Sequence, residues 1–148
     1  MYRGVNSLTL DGKGRLVIPT RYRGEIMSAC EGRMIVTVDR DQCLLLYPLP
    51  EWEEIERRLT ALPSLNTQAR GLQRLLIGHA TECEMDSNGR ILLPPILRTF
   101  VGLERSVVLV GQGNKFEVWD EQQWNVRRAE WVKVAPEQLP PELESLSL

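Results

Sequence analysis

The stretch Leu10-Asp11-Gly12-Lys13-Gly14-Arg15-Leu16-Val17-Ile18-Pro19 decides the fold, because the chain contains it twice. It returns as Met85-Asp86-Ser87-Asn88-Gly89-Arg90-Ile91-Leu92-Leu93-Pro94, with Asp, Gly, Arg, three aliphatic residues and Pro in the same order, 75 residues on. A second correspondence follows. Tyr47-Pro48-Leu49-Pro50-Glu51-Trp52 lines up with Trp119-Asp120-Glu121-Gln122-Gln123-Trp124 at a spacing of 72, so the first copy carries three extra residues between Pro19 and Arg33. Self-similarity at a fixed period marks the chain as a tandem duplication.

Asp-x-x-Gly is the favoured composition of a type I turn, with Asp accepting from backbone amides and Gly at the fourth position. With that Gly in the left-handed region, the turn becomes a three-residue hairpin loop with a G1 bulge. The spacing predicts loops Gly12-Lys13-Gly14 and Ser87-Asn88-Gly89, with Asp11 facing Arg15 and Asp86 facing Arg90 across their hairpins. Opposite charges placed so stabilise a strand pair by roughly 0.2–1 kcal/mol. An arginine there can serve the hairpin alone, or can offer its remaining donors to an anion from a rigid tip. Residue chemistry leaves both readings open.

Composition narrows the function classes. The chain has 148 residues, 43% hydrophobic and 26% charged, as in an ordinary globular protein. No apolar run reaches the roughly 18 residues of a membrane span, and the N-terminus lacks the apolar core of a signal peptide. Cys30, Cys43 and Cys83 are odd in number and widely spaced, which fits reduced thiols in a cytoplasmic protein. His79 is the only histidine, so a zinc site would need all three cysteines to converge on it, and no metal or other cofactor is expected. The net charge is −2, but residues 1–24 hold Arg3, Lys13, Arg15, Arg21 and Arg23 against Asp11 alone, a local +4. That end is the better candidate for an anionic partner.

Along the chain, Ser7–Leu10 alternates and reads as a strand, and Leu16-Val17-Ile18 as a strand buried on both faces. Thr20 to Met27 is a short helix with Thr20 as N-cap. Met34–Val38 and Cys43–Tyr47 form a second hairpin. Trp52, Ile55, Leu59 and Leu62 then fall at helical spacing before Pro63, and Trp52 and Trp124 read as core anchors. Asn66 caps a connector helix striped by Ala69, Leu72, Leu75 and Leu76 and ended by Gly78. The second copy repeats the plan: strand Thr81–Met85, strand Ile91–Leu93, a short helix after Pro95, and a hairpin of Val107–Val110 and Phe116–Trp119 about a Gly111–Asn114 turn. Asp120 caps a last helix, and a Pro/Glu/Leu-rich tail follows Pro136. Each copy has too few strands to bury its own faces, so the two should interlock as one barrel with internal pseudo-two-fold symmetry.

The duplicated Asp-x-x-Gly-Arg-(aliphatic)₃-Pro segments, each followed by hairpin and helix, resemble the swapped-hairpin barrels of the SpoVT/AbrB superfamily. The two-copy chain, with Leu45-Leu46-Tyr47-Pro48-Leu49-Pro50-Glu51-Trp52 and Gln73-Arg74-Leu75-Leu76-Ile77-Gly78-His79-Ala80, is similar to its MraZ family over residues 1–135. The resemblance implies an α+β fold, an internally duplicated β-barrel with peripheral helices. Its parts would be a first repeat at 5–52, connector helices at 53–80, a second repeat at 81–124, and a C-terminal helix and loose tail at 125–148. It implies a cytoplasmic, nucleoid-associated DNA-binding regulator, usually a repressor and not an enzyme, assembled as a homo-oligomeric ring. Such rings bind short direct repeats upstream of the division and cell-wall gene cluster, including the regulator's own promoter. The expected partner is double-stranded DNA, with no membrane and no small-molecule substrate.

Carried over by position, the family's motif falls on Asp11 and Arg15 and on Asp86 and Arg90; the DNA-contacting residues would be Arg15 and Arg90, to which the first loop adds Lys13 and the basic N-terminus adds Arg3. Asp11, Gly14, Asp86 and Gly89 would shape the turns and orient the arginines. Lys13 has Asn88 as its counterpart, so the first tip should outrank the second. Arg23 and Arg98 also correspond, each four residues past the Pro, either as a second contact or as helix-surface partners of carboxylates. Two other classes are weighed against this one. An enzyme would have to use Asp11 and Asp86 as paired carboxylates with no second catalytic group type beside them. A protein-interaction or antitoxin-like module would bind a protein partner without needing Arg15 for DNA.

Overall fold

Four strand pairings join one copy of the repeat to the other. In the computed structural model, which describes residues 1–147, the first copy comprises β1 (Tyr2–Thr9), β2 (Arg15–Val17), α1 (Thr20–Cys30), β3 (Arg33–Val38), β4 (Leu44–Pro48) and α2 (Leu49–Thr60). Helix α3 (Thr67–Leu76) links it to the second copy. That copy comprises β5 (Thr81–Glu84), β6 (Arg90–Leu92), α4 (Pro95–Val101), β7 (Ser106–Gly113), β8 (Phe116–Asp120) and α5 (Glu121–Val132). Two 3₁₀ turns, at Pro136–Gln138 and Pro141–Leu146, follow with no buried side chain.

Strand β1 pairs antiparallel with β7 and β5 with β3, so each copy gives its first strand to the other copy's sheet. Strand β2 pairs with β6, its own counterpart. A six-stranded antiparallel sheet of order β1-β7-β8-β4-β3-β5 results, beside a separate two-stranded ribbon, β2-β6. The α+β class and the interlocking of copies follow the expectation. Closure does not: the ladder ends at β1 and β5, and no closed barrel occurs among the described residues.

The exchange also changes the two predicted turn hairpins. Only one backbone bond closes the first turn on its strand side, Asp11 N–H to the Arg15 carbonyl at 3.1 Å, with Asp86 to Arg90 equivalent at 3.0 Å. Beyond it the flanking strands part, because each pairs with a strand of the opposite copy. Strand β1 accordingly starts at Tyr2, five residues before the predicted start, and runs opposite β7 through Gly111, Gln112 and Gly113. Those three residues are strand, where a turn was expected.

Burial explains the unbroken apolar runs in β3, β4 and β7. Met34, Val36 and Val38 face a core with Leu16, Ile18, Ile26, Ile91, Leu93, Leu97 and Phe116, roofed by the ribbon, α1 and α4. The alternate residues Ile35, Leu45, Val108 and Val110 face Trp52, Leu59, Trp119 and Trp124, which are covered by α2 and α5. A sheet buried on both faces needs no polar alternation. The ribbon is different. Leu16 and Ile18 are fully buried but Val17 is 44% exposed, so the predicted two-sided burial of that strand fails at its middle residue.

Helix starts follow Pro more than side-chain caps. Pro19, Pro48 and Pro94 hold the N-cap positions of α1, α2 and α4 without a side-chain cap bond, so Thr20 is the first helical residue and not the cap. Asn66 and Asp120 cap as predicted, accepting from the Ala69 and Gln123 amides.

Candidate nucleic-acid interface

The two turns have the same internal wiring. Asp11 Oδ1 accepts from the backbone amides of Lys13 and Arg15, both at 2.9 Å, and Oδ2 accepts from Arg15 Nε at 2.6 Å. Asp86 repeats this with Asn88 N–H and Arg90 N–H at 2.9 Å and Arg90 Nε at 2.8 Å. Gly14 N–H and Gly89 N–H return to the Asp11 and Asp86 carbonyls, and the glycines take φ of 83° and 76°. That conformation is strained for a residue with a Cβ. The amide of Arg15 first, and its guanidinium second, hold the Asp11 carboxyl down at about 2. Asp86 is lowered from the same causes. Both carboxylates are therefore ionised at neutral pH, and each fixes its arginine's guanidinium through Nε alone. The two terminal nitrogens of each guanidinium have no hydrogen-bond partner among the described residues.

The ribbon sets these arginines side by side. Its register places Arg15 opposite Leu92 and Val17 opposite Arg90, about the central pair Leu16–Ile91. Alternation along a strand puts Arg15, Val17, Arg90 and Leu92 on one face and the central pair on the other. Leu16 and Ile91 are fully buried, whereas Val17 and Leu92 are 44% and 52% exposed, which orients the four-residue face outward. Arg15 and Arg90 occupy one diagonal, about 7–8 Å apart at the Cα atoms, with the two aliphatic side chains on the other. The exposed Val17 and Leu92 were not singled out from sequence. The available signal was that residue i+2 shares the face of an arginine at i.

Lys13 sits at the first tip, exposed, its backbone amide held by Asp11. Arg3 is elsewhere: it lies on β1 opposite Gln112, about 20 Å along the strand from the first turn. Tyr22 Oη donates to its carbonyl at 2.6 Å, and Arg21 Nη2 donates to Asn6 Oδ1 and Tyr22 Oη. Arg23 and Arg98 do not take the carboxylate-pairing role considered from sequence. Neither pairs with a carboxylate among the described residues; their Nε atoms donate to the carbonyls of Ile18 at 2.8 Å and Leu93 at 3.0 Å.

The MraZ family, described as "MraZ protein, putative antitoxin-like", matches twice, over residues 1–75 and 76–134. The chain belongs to the MraZ family. A transcriptional regulator MraZ of Thioalkalivibrio sulfidiphilus is 59% identical over 150 residues, spanning all of both chains. Proteins of the same name from Halorhodospira halophila and Methylococcus capsulatus are 59% and 57% identical over 100% and 99% of both lengths.

Elsewhere in this MraZ-family chain the thiols do not gather on His79. Cys43 is buried in the Trp119 layer of the core, while Cys30 and Cys83 pack against the opposite layer. His79 Nδ1 is 2.7 Å from the Leu75 carbonyl. Asp39, Cys43 and Glu117 do approach within 4.8 Å of one another. Burial pushes the Cys43 thiol and the Glu117 carboxyl up, and Glu117 accepts a bond from Trp119 Nε1. No helix among the described residues is long and apolar enough to cross a membrane.

Proposed function

We propose that this chain regulates transcription by binding double-stranded DNA through the outward face of β2-β6 and the two turns beside it. The observation that carries the reading is Arg15 and Arg90, each anchored by an aspartate through Nε, on one exposed face with terminal donors unused. A two-stranded ribbon fits the major groove, where arginine pairs with guanine O6 and N7 and an aliphatic side chain meets the thymine methyl. Val17 and Leu92 supply the second kind of contact. Lys13, a point charge on a flexible stem, suits phosphate. Asp11, Asp86, Gly14 and Gly89 shape the turns. The names of the relatives, transcriptional regulators spanning the whole chain, support the same class, which is not an enzyme's.

One chain offers a few cationic contacts and a net charge of −2, so alone it should bind near the non-specific range of about 10⁻⁴ to 10⁻⁶ M. Linking several chains adds about 10² to 10⁴ through effective concentration. A head-to-tail ring presents its ribbons in one rotational sense, which matches direct repeats better than palindromes. The chain therefore acts as a ring in the cytoplasm, on the nucleoid. There it represses the division and cell-wall gene cluster from repeats upstream of it, its own promoter included. A mobility shift on the DNA upstream of its own gene tests this. Wild type should retard a multi-repeat fragment far better than a single repeat, and Arg15→Ala should abolish the shift with the fold intact. Equal binding of both fragments would remove the ring mechanism. An undiminished shift by Arg15→Ala would favour a protein-binding role.

A further inference from the structure

The corresponding arginines Arg23 and Arg98 close a cross-wired circuit. Gly14 of the first turn gives its carbonyl to the amide of Leu93 in the second copy, at 3.0 Å. Leu93 in turn gives its own carbonyl to Arg98 Nε, at 3.0 Å. The Arg98 guanidinium then lies over Gly14, filling the space a Cβ there would occupy, so that an added methyl would overlap Cζ, Nε and Nη2. Three contacts thus run from the first turn into the second copy and back.

The mirror circuit has the copies exchanged. Gly89 gives its carbonyl to Ile18 N–H at 2.8 Å, Ile18 gives its carbonyl to Arg23 Nε at 2.8 Å, and the Arg23 guanidinium covers Gly89. Both circuits need the same residue types. Only glycine leaves its Cα bare for a flat cation while holding φ near 80°. Only arginine combines a directed Nε donor with a planar face.

We propose that Arg98 is the positioning residue of the Arg15 turn and Arg23 that of the Arg90 turn, so that each repeat holds the other's tip in place. The functional consequence rests on the DNA-binding reading above; the wiring does not. Within one turn, Asp11 fixes the direction of Arg15, but a single strand-side bond closes that turn. The opposite copy supplies what keeps the loop from swinging. The tips of a duplicated chain are then set at a fixed separation by the duplication itself.

Hydrogen exchange on the full chain, comparing wild type with Arg98→Lys and Arg23→Lys, tests the wiring without DNA. Lysine keeps charge and length but loses the Nε donor and the flat face. Arg98→Lys should speed exchange at Gly14, Arg15 and Leu93 about tenfold and leave Ile18, Gly89 and Arg90 unchanged. Arg23→Lys should do the reverse, and supplies an independent test if Arg98→Lys lowers stability overall. Exchange that rises at the turn of the variant's own repeat, rises equally in both turns, or does not change overturns the proposal. In the DNA arm, Arg98→Lys should add little to the loss caused by Arg15→Ala but add in full to that of Arg90→Ala. Full DNA affinity in Arg98→Lys would mean that its charge alone matters, and would overturn the positioning role. If Arg15→Ala itself leaves DNA retention unchanged, the DNA-binding reading falls while the exchange pattern still decides the wiring.

Discussion

Thr37 Oγ1 lies 2.6 Å from the carbonyl oxygen of Leu76 and donates a hydrogen bond to it. Thr37 is a fully buried polar residue, the last but one of β3, and Leu76 is the last residue of α3. Helix α3 has no fully buried side chain of its own. Its hold on the rest of the fold therefore depends on this bond to the sheet, on Gln73 Nε2 donating to the Leu59 carbonyl of α2 at 2.7 Å, and on the partly buried Leu72, Leu75 and Leu76.

Thr37→Val keeps the shape and leaves a helix-terminal carbonyl without its partner. It should cost about 1–2 kcal/mol. Chemical denaturation measures the loss, and exchange should quicken over residues 67–76 before any core strand responds. Equal stability would mean that water reaches the Leu76 carbonyl.

Gly14→Ala separates backbone strain from overlap when Gly102→Ala is the control. Gly102 ends α4 at φ 68° with nothing within 4 Å of an added Cβ, whereas at Gly14 the Arg98 guanidinium fills that space. Gly102→Ala should cost about 1 kcal/mol, the ordinary penalty of the left-handed region. Gly14→Ala should cost about 1–3 kcal/mol and release Arg98 as well. Thermal unfolding of the two variants gives the difference; equal losses would show that Arg98 moves aside freely.

How much was legible in the sequence follows from the range of each interaction. The turns were legible because Asp, Gly and Arg act within five residues, and the Asp11 and Asp86 bonds fall where turn chemistry puts them. The duplication was legible because it is a pattern of identities. Strand partners were not. Leu16-Val17-Ile18 reads as uniformly apolar, and only the pairing of β2 with β6 reveals that Val17 faces out. The roles of Arg23 and Arg98 were hidden for a similar reason. Each acts on a glycine of the other repeat, and no local spacing encodes that contact. The extension of β7 through Gly111–Gly113 depends on β1 arriving from over 100 residues away.

Charge and shape at the ribbon should separate in binding measurements. Arg15→Ala or Arg90→Ala removes a cation and should reduce the steepness of the salt dependence by about one ion if the contact is to phosphate. Val17→Ala and Leu92→Ala should leave that slope unchanged and weaken preference for thymine-containing sites. Binding isotherms at several salt concentrations, on the repeat and on scrambled DNA, distinguish the two. A Leu92→Ala variant with unaltered discrimination would remove the ribbon face from base readout.

Acid should spare the turns until well below the ordinary carboxylate range. Asp11 titrates at about 2 in the folded chain against a usual 3.8, so its folded pKa is the depressed one. Its contribution to stability is therefore complete above the usual value and fades as pH falls from there towards about 2. The Asp11 carboxyl carbon, followed by NMR, should titrate at the depressed value in wild type. In Arg15→Ala the leading cause, the backbone amide at position 15, survives while the guanidinium is gone. The carboxyl should then move only part of the way back towards its usual range. Complete reversion would mean that the guanidinium alone holds the carboxylate, and that the turn depends on the very arginine it was built to aim.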